Sequence, residues 1–283
     1  MRVLIFGATG MLGKALLRQW KDKGDEIIGL GSADADLRNP DQVNKVVAEA
    51  KPDWIVLAAA YTDVDGCEIN PTLATSVNAY GAVNVANAAA NNKSQLLFVS
   101  TDYIFDGTNN TPYEVTGQRN PINAYGRSKA EAEQKIAAIL PEHCIVRTSW
   151  LFGPGGKCFP DTILKLAETR PEIKVVNDQR GSPTYTLDLA AAIVKLVQAG
   201  ARGIVHCTNQ GECTWYEFAC EIVRQARQST RVRPTTSVEF VRPAERPKYS
   251  VLSPLSLEAY GIRMPSWQSA LRAYLTEPKL LAS

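Results

Sequence analysis

Histidine is nearly missing from this chain: His143 and His206 are the two in 283 residues. Neither stands in a zinc spacing with the cysteines, so neither a histidine-based catalytic triad nor a metal cage is expected. The six cysteines (Cys67, Cys144, Cys158, Cys207, Cys213 and Cys220) contain no C-x-x-C pair. Their scatter reads as reduced, mostly buried thiols, which suits the cytoplasm. An excess of charge of one sign is lacking too. A net charge of +2 with no basic run argues against nucleic acid or an anionic membrane as partner. Long apolar runs are absent: DWIVLAAAY (53–61) is far too short to cross a bilayer. The opening MRVLIFGATG lacks the longer apolar core and cleavage site of a signal peptide. A cytoplasmic protein without a membrane partner is therefore expected.

What remains has the composition of a soluble globular enzyme, with a hydrophobic fraction of 45% and a charged fraction of 21%. In the first half, short apolar runs alternate with helical patterns. Strands are expected at 2–6, 26–30, 54–60, 96–100 and 144–150, and helices at 11–24, 40–52, 73–92 and 125–139. Strands apolar on both faces and separated by helices imply a parallel sheet covered on both sides. The fold class is thus α/β, a doubly wound parallel sheet of Rossmann type, whose ligands sit at the carboxyl ends of the strands.

After residue 150 glycine and proline thicken, in FGPGGKCFP, QRGSPTY and VRPAERPKYS. Helices are expected at 160–170, 186–199 and 214–227, and strands at 173–177 and 203–208. Residues 1–150 are read as a dinucleotide-binding domain, with a contribution from about 178–208. Residues 151–283 are read mainly as a smaller, partly interleaved substrate-binding lobe.

FGATGMLG joins the first strand to the first helix, with Gly7, Gly10 and Gly13 spaced G-x-x-G-x-x-G. Glycines here permit a tight turn and let backbone N–H groups approach a pyrophosphate at a helix N-terminus. Thr9, Met11 and Leu12 should add backbone contacts. The second strand ends in Leu30-Gly31-Ser32, with no carboxylate to take a ribose 2′-hydroxyl. A 2′-phosphate is therefore tolerated at Ser32, although no Arg or Lys follows immediately to hold it. The cofactor expected is NADPH or NADH, with a lean to NADPH. Asp36 and Leu37 could bracket an adenine, Asp36 accepting from its amino group, or could simply precede the helix that starts at Pro40.

AYGRSKAEAEQ (124–134) places Tyr125 and Lys129 four positions apart on a helix, hence on one face. A half-buried aromatic beside a solvated lysine is the plain account of such a pair. The chemical account is that the ammonium draws the phenol pKa down from about 10, creating an acid that works near neutrality.

The glycine loop, the strand end STDYIFDG (100–107) and Tyr125-x-x-x-Lys129, in that order, resemble an extended short-chain dehydrogenase/reductase. Within that superfamily STDYIFDG, VRTSWLFG (146–153), DQRGSPTY (178–185) and ERPKYS (245–250) resemble the dTDP-4-dehydrorhamnose reductases. The resemblance covers nearly the whole chain. It implies reduction of the C4 ketone of dTDP-4-dehydro-L-rhamnose by NAD(P)H, in the making of dTDP-L-rhamnose for surface polysaccharide.

The same resemblance assigns positions. Thr101 matches the residue that hydrogen-bonds the substrate oxygen, Tyr125 the proton donor, and Lys129 the lysine that binds the nicotinamide ribose. Ala58, Ala59, Ala60 and Tyr61 match the strand end beside the cofactor, and Asn78 an asparagine that supports the site. Asp102 accompanies Thr101 in the substrate pocket, Trp150 lines the sugar, and Arg246 lies near the nucleotide phosphates. Some members hold magnesium at a dimer interface. Glu277 lies in the region of one ligand, but Ala15 stands where another would fall, so no metal is expected. A homodimer is common in the family. Trp215 and His206 read as packing residues. Two rivals share the pattern: a non-catalytic subunit of the methionine adenosyltransferase regulatory type, and a nucleotide-sugar epimerase or dehydratase.

Overall fold

The computed structural model describes residues 1–21 and 23–277. Its centre is a six-stranded, wholly parallel sheet. In chain order the strands are β1 (Arg2–Phe6), β2 (Glu26–Leu30), β3 (Trp54–Leu57), β4 (Gln95–Thr101), β5 (Cys144–Thr148) and, far later, Gly203–His206. From one edge to the other they run Gly203–His206, β5, β4, β3, β1, β2. The order reverses between β1 and β3, and β1 pairs with both of its neighbours through Val3, against Ile27 on one side and Trp54 on the other. That reversal opens a crevice at the strand ends.

Alternate residues of each strand feed two cores, as a parallel sheet buried on both faces requires. Val3, Ile5, Val56, Leu97 and Val146 face α1 (Met11–Trp20) and a later helix, Thr186–Gln198. Leu4, Phe6, Ile55, Phe98 and Ile145 face the opposite layer, to which α2 (Pro40–Ala50) belongs. The α2 helix starts cleanly because Asn39 accepts from the N–H groups of Asp41 and Gln42 and Pro40 sits in the first turn.

The single helix expected at 73–92 is corrected. The chain instead forms α3 (Val64–Ile69), α4 (Pro71–Thr75), one π-helical turn (Ser76–Tyr80) and α5 (Gly81–Asn92). The π turn carries Asn78, whose carboxamide is buried and fully engaged, a long-range contact that helix propensity does not encode. The next helix, α6 (Ala124–Ile139), is capped by Asn123, which accepts from the Gly126 N–H at 2.8 Å.

Beyond β5 come β6 (Leu151–Phe152), α7 (Phe159–Ala167), β7 (Glu172–Val176), β8 (Arg180–Gly181), β9 (Thr184–Tyr185), α8 (Thr186–Gln198) and β10 (Gly203–His206). The chain continues through β11 (Cys213–Thr214), α9 (Trp215–Gln225), β12 (Arg231–Thr235), α10 (Leu255–Glu258) and α11 (Trp267–Thr276). Four of these strands, β6, β8, β9 and β11, are only two residues long, too short to leave a periodic signal, and they pair in separate two-stranded ribbons. A third core gathers Phe152, Ile163, Tyr185, Phe218, Ile222 and Trp267. Five cysteines are buried and Cys220 is half-buried, all unpaired. Among the described residues no helix is long and apolar enough to cross a membrane.

Candidate active site

A cavity of about 780 Å³ occupies the crevice at the carboxyl ends of the strands. The glycine loop lines one side of it. Gly7 adopts φ +89°, and a Cβ there would lie 2.6 Å from the backbone nitrogen of Ala59. A Cβ on Gly13 would fall 2.0 Å from the carbonyl oxygen of Gly7. Side chains are thus excluded by the backbone itself, and α1 begins directly at the cavity. No side chain caps α1, and its first turn holds no acidic residue. Its free N–H groups and the positive end of its dipole face open space, which fits a pyrophosphate.

The structure places Gly7, Thr9, Gly10, Met11, Leu12 and Gly13 on one wall, and Ser32, Asp36 and Leu37 beside them. Ala58, Ala59 and Ala60 form the base, and Thr101, Asp102, Tyr125, Lys129 and Trp150 the far side. These residues could hold a dinucleotide along the first wall and a second ligand at the far side.

Three expected residues stand outside the lining. Asn78 lies one layer behind: its Oδ1 accepts from the Tyr61 N–H at 2.7 Å, and its Nδ2 donates to the Tyr61 carbonyl and to Ser128 Oγ, both at 3.0 Å. Ser128 Oγ in turn donates to the Tyr125 carbonyl at 2.7 Å. Asn78 therefore ties the end of β3 to α6 without touching the cavity, and Tyr61 contributes its backbone to that tie. Arg246 is turned away, donating at 2.6 Å to Asp65, which also binds Arg242. The two guanidinium groups hold the Asp65 carboxyl far below the usual carboxylate range despite partial burial. Glu277 is engaged by Arg18 and by the Tyr185 hydroxyl.

Electrostatics at the far side differ from the expectation. The Tyr125 phenol is pushed up, not down: burial dominates, the Asp102 carboxylate adds to it, and only the nearby Thr101 hydroxyl opposes. Lys129 is itself buried and lowered to about 7, against a raising influence from Glu133. Its ammonium donates to the Val99 carbonyl at 2.7 Å and lies 3.9 Å above the Phe98 ring centre. Desolvation thus outweighs the mutual stabilisation read from the spacing. Asp102 is buried and raised to about 7, with Oδ1 accepting from Thr101 Oγ1 at 3.0 Å and Oδ2 without a partner.

Trp215 and Arg38 are among the lining residues that the sequence reading did not place in the site. Trp215 stacks on Trp150 with ring centres 3.6 Å apart and 8° between planes, so it belongs to the cavity wall as well as to packing. Trp150 itself sits at φ +47°, an unusual backbone for a bulky residue. Arg38 also lines the cavity. Its signal was present as a lone basic residue after Asp36-Leu37, but the turn that brings it round was not.

A family model described as the RmlD substrate binding domain matches residues 1–279. The chain belongs to this family. It is 41% identical to the spore coat polysaccharide biosynthesis protein SpsK of Bacillus subtilis, covering 98% of this chain and 97% of that one. It is 38% identical to a dTDP-4-dehydrorhamnose reductase of Mycobacterium tuberculosis, over 98% and 93% of the two chains. A Bacillus anthracis dTDP-4-dehydrorhamnose reductase, solved in complex with NADP, superposes with a TM-score of 0.95 at 40% identity, over 98% and 99% of the chains. The glycine loop, Thr101, Tyr125 and Lys129 of this chain all line the one cavity.

Proposed function

We propose that the protein reduces the C4 ketone of dTDP-4-dehydro-L-rhamnose to dTDP-L-rhamnose with NADPH or NADH, in the supply of a sugar for surface polysaccharide. The observation that carries this reading is the meeting of Thr101, Tyr125 and Lys129 with an uncapped, glycine-lined helix start in one cavity. Residues 1–150, with 178–208, hold the dinucleotide, and 151–283 hold most of the sugar nucleotide.

The nicotinamide supplies the hydride when bound; everything else falls to the chain. Gly7 to Gly13 and the N-terminus of α1 hold the pyrophosphate. Ala58, Ala59 and Ala60 leave room for a flat ring beside β3. Tyr125, and Thr101 once its hydroxyl turns from Asp102, donate to the ketone oxygen and stabilise the negative charge that grows there. A phenol raised by burial keeps its proton at neutral pH, which is the form a ketone reduction consumes. Lys129 holds the nicotinamide ribose and stabilises the phenolate left behind. Trp150, backed by Trp215, positions the sugar. Arg246 acts on the nucleotide phosphates only after leaving Asp65.

The unpaired thiols favour a cytoplasmic location, and a homodimer is the assembly the family resemblance implies. The deciding experiment mixes the protein with dTDP-4-dehydro-L-rhamnose and follows nicotinamide absorbance with NADPH and with NADH. Stoichiometric oxidation of the reduced cofactor is the expected result. Sugar conversion without net oxidation would point to an epimerase or dehydratase. No conversion, with co-purification of a synthetase, would point to a regulatory subunit.

A further inference from the structure

Thr101 ends β4 and Asp102 follows it. Both line the cavity and both are buried, at 6% and 2% exposure. A hydroxyl has one hydrogen to give and two lone pairs to receive with. The Thr101 hydrogen is committed, because Oγ1 donates to Asp102 Oδ1 at 3.0 Å. One lone pair is committed too: Oγ1 accepts from the Tyr103 N–H at 3.2 Å and so caps the short turn Asp102–Ile104. The second lone pair is left for the Tyr125 phenol, which stands near it on α6. In this arrangement Thr101 has no hydrogen for a ketone oxygen, and it offers the Tyr125 proton an acceptor other than the substrate.

Proton uptake by Asp102 reverses the bond. A neutral carboxyl donates through its O–H. That donor fills the second lone pair of Thr101 Oγ1, and the threonine hydrogen is turned out into the cavity. No lone pair remains for the phenol, so both hydroxyls are free for the ketone oxygen. The surroundings favour the uptake. Asp102 Oδ2 is buried without a hydrogen-bond partner, and a carboxylate so poorly met is costly to keep ionised. Burial raises Asp102 most, to about 7, against the Ser250 and Thr101 hydroxyls and the backbone N–H groups of Asp102 and Tyr103, all of them uncharged. The titratable groups facing it are the phenols of Tyr103 and Tyr125, each raised further by its charge, with Cys67 of α3 beside Tyr125. Lys129, also on α6, is held by the Val99 carbonyl. Arg242 and Arg246, which act on Tyr103, are held by Asp65.

We propose that Asp102 is a positioning residue acting through Thr101: neutral, it turns the Thr101 and Tyr125 hydroxyls onto the ketone oxygen, and ionised, it holds them off it. Ketone reduction is then fastest with Asp102 neutral. This role rests on the reductase reading, but not on the identity of the sugar.

Two measurements test it. In the first, kcat for the ketosugar is followed from about pH 5.5 to about pH 9. The wild type should lose about tenfold per pH unit once pH has risen past about 7. Asp102→Asn, which has no proton to lose, should lack that limb whatever its own rate. The same limb in Asp102→Asn belongs to another group, Lys129 foremost, and overturns the assignment; so does a wild-type rate that stays level. The second needs neither substrate nor that variant. Infrared spectra of wild type and Thr101→Val follow carboxyl protonation with pH. A wild-type carboxyl band should grow as pH falls through about 7, and Thr101→Val, which removes a donor to the ionised form, should move its midpoint upwards. No band titrating above about pH 5, or a midpoint that Thr101→Val leaves in place, overturns the assignment. Failure of the wild type to reduce the ketosugar would instead sink the proposed reaction, while the spectra still decide whether Asp102 and Thr101 are linked.

Discussion

The Glu133 carboxylate grips the Arg147 guanidinium through two hydrogen bonds, 3.0 Å from Nε to Oε1 and 2.7 Å from Nη2 to Oε2, with neither side chain reaching water. Arg119 adds a third bond from the rim at 3.2 Å. Glu133 lies on α6 one turn beyond Lys129, and its charge works against the burial that lowers the lysine. Removing one partner of a buried pair leaves an uncompensated charge, which is costlier than removing both. Glu133→Gln is expected to destabilise the fold by about 3–5 kcal/mol in urea titration. Glu133→Gln combined with Arg147→Met should recover part of that loss. A double variant no better than the sum of the two single ones would show that the pair is not coupled.

Tyr125→Phe removes the proton donor but leaves the ring. Turnover of the ketosugar should fall by about 10²–10⁴-fold, with NADPH affinity nearly unchanged. A rate within threefold of wild type would exclude Tyr125 as the acid.

The place of Trp150 depends on a missing side chain opposite. A Cβ on Gly181 would lie 2.5 Å from Cε2 of the Trp150 indole. Gly181→Ala must push the indole, and with it the stacked Trp215, out of position. The expected cost is roughly 1–3 kcal/mol in thermal unfolding, together with a raised KM for the sugar nucleotide and retained dinucleotide binding. An unchanged KM would remove Trp150 from the sugar site.

His206, on β10 beside Arg147, is buried and held neutral, its pKa lowered to about 3 by burial and by the neighbouring guanidinium. The unfolded chain takes up that proton near 6.5, whereas the folded chain resists it down to about 3. Stability from this residue is therefore complete above pH 6.5 and is lost progressively as pH falls towards 3. The loss amounts to roughly 5 kcal/mol at most. Asp102, raised to about 7, acts in the opposite sense: its contribution falls as pH rises through that range. The difference in stability between wild type and His206→Gln isolates the histidine, and it should shrink as pH falls from 6.5 towards 3. A difference that does not change over this window would mean that His206 is protonated in the folded state.

Local pattern in the sequence determined much of this protein. The alternation of apolar runs such as RVLIF and LLFVS with helical segments is a short-range property, and it dictated a parallel sheet and a crevice at the strand ends. The glycine loop and the Tyr125–Lys129 pair were legible because turn geometry and helix spacing act over a few residues, whereas Thr101 was assigned through the family resemblance. What depended on distant segments meeting was not legible. The π turn at Asn78 reflects bonds to Tyr61 and Ser128, and the stack of Trp150 on Trp215 joins residues 65 positions apart. Arg246 was drawn off by Asp65, 181 positions away. The direction of the Tyr125 and Lys129 shifts was decided by burial, and burial is set by everything packed around a group. Spacing along a helix determines which side chains are neighbours; only the tertiary structure decides how much water is left between them.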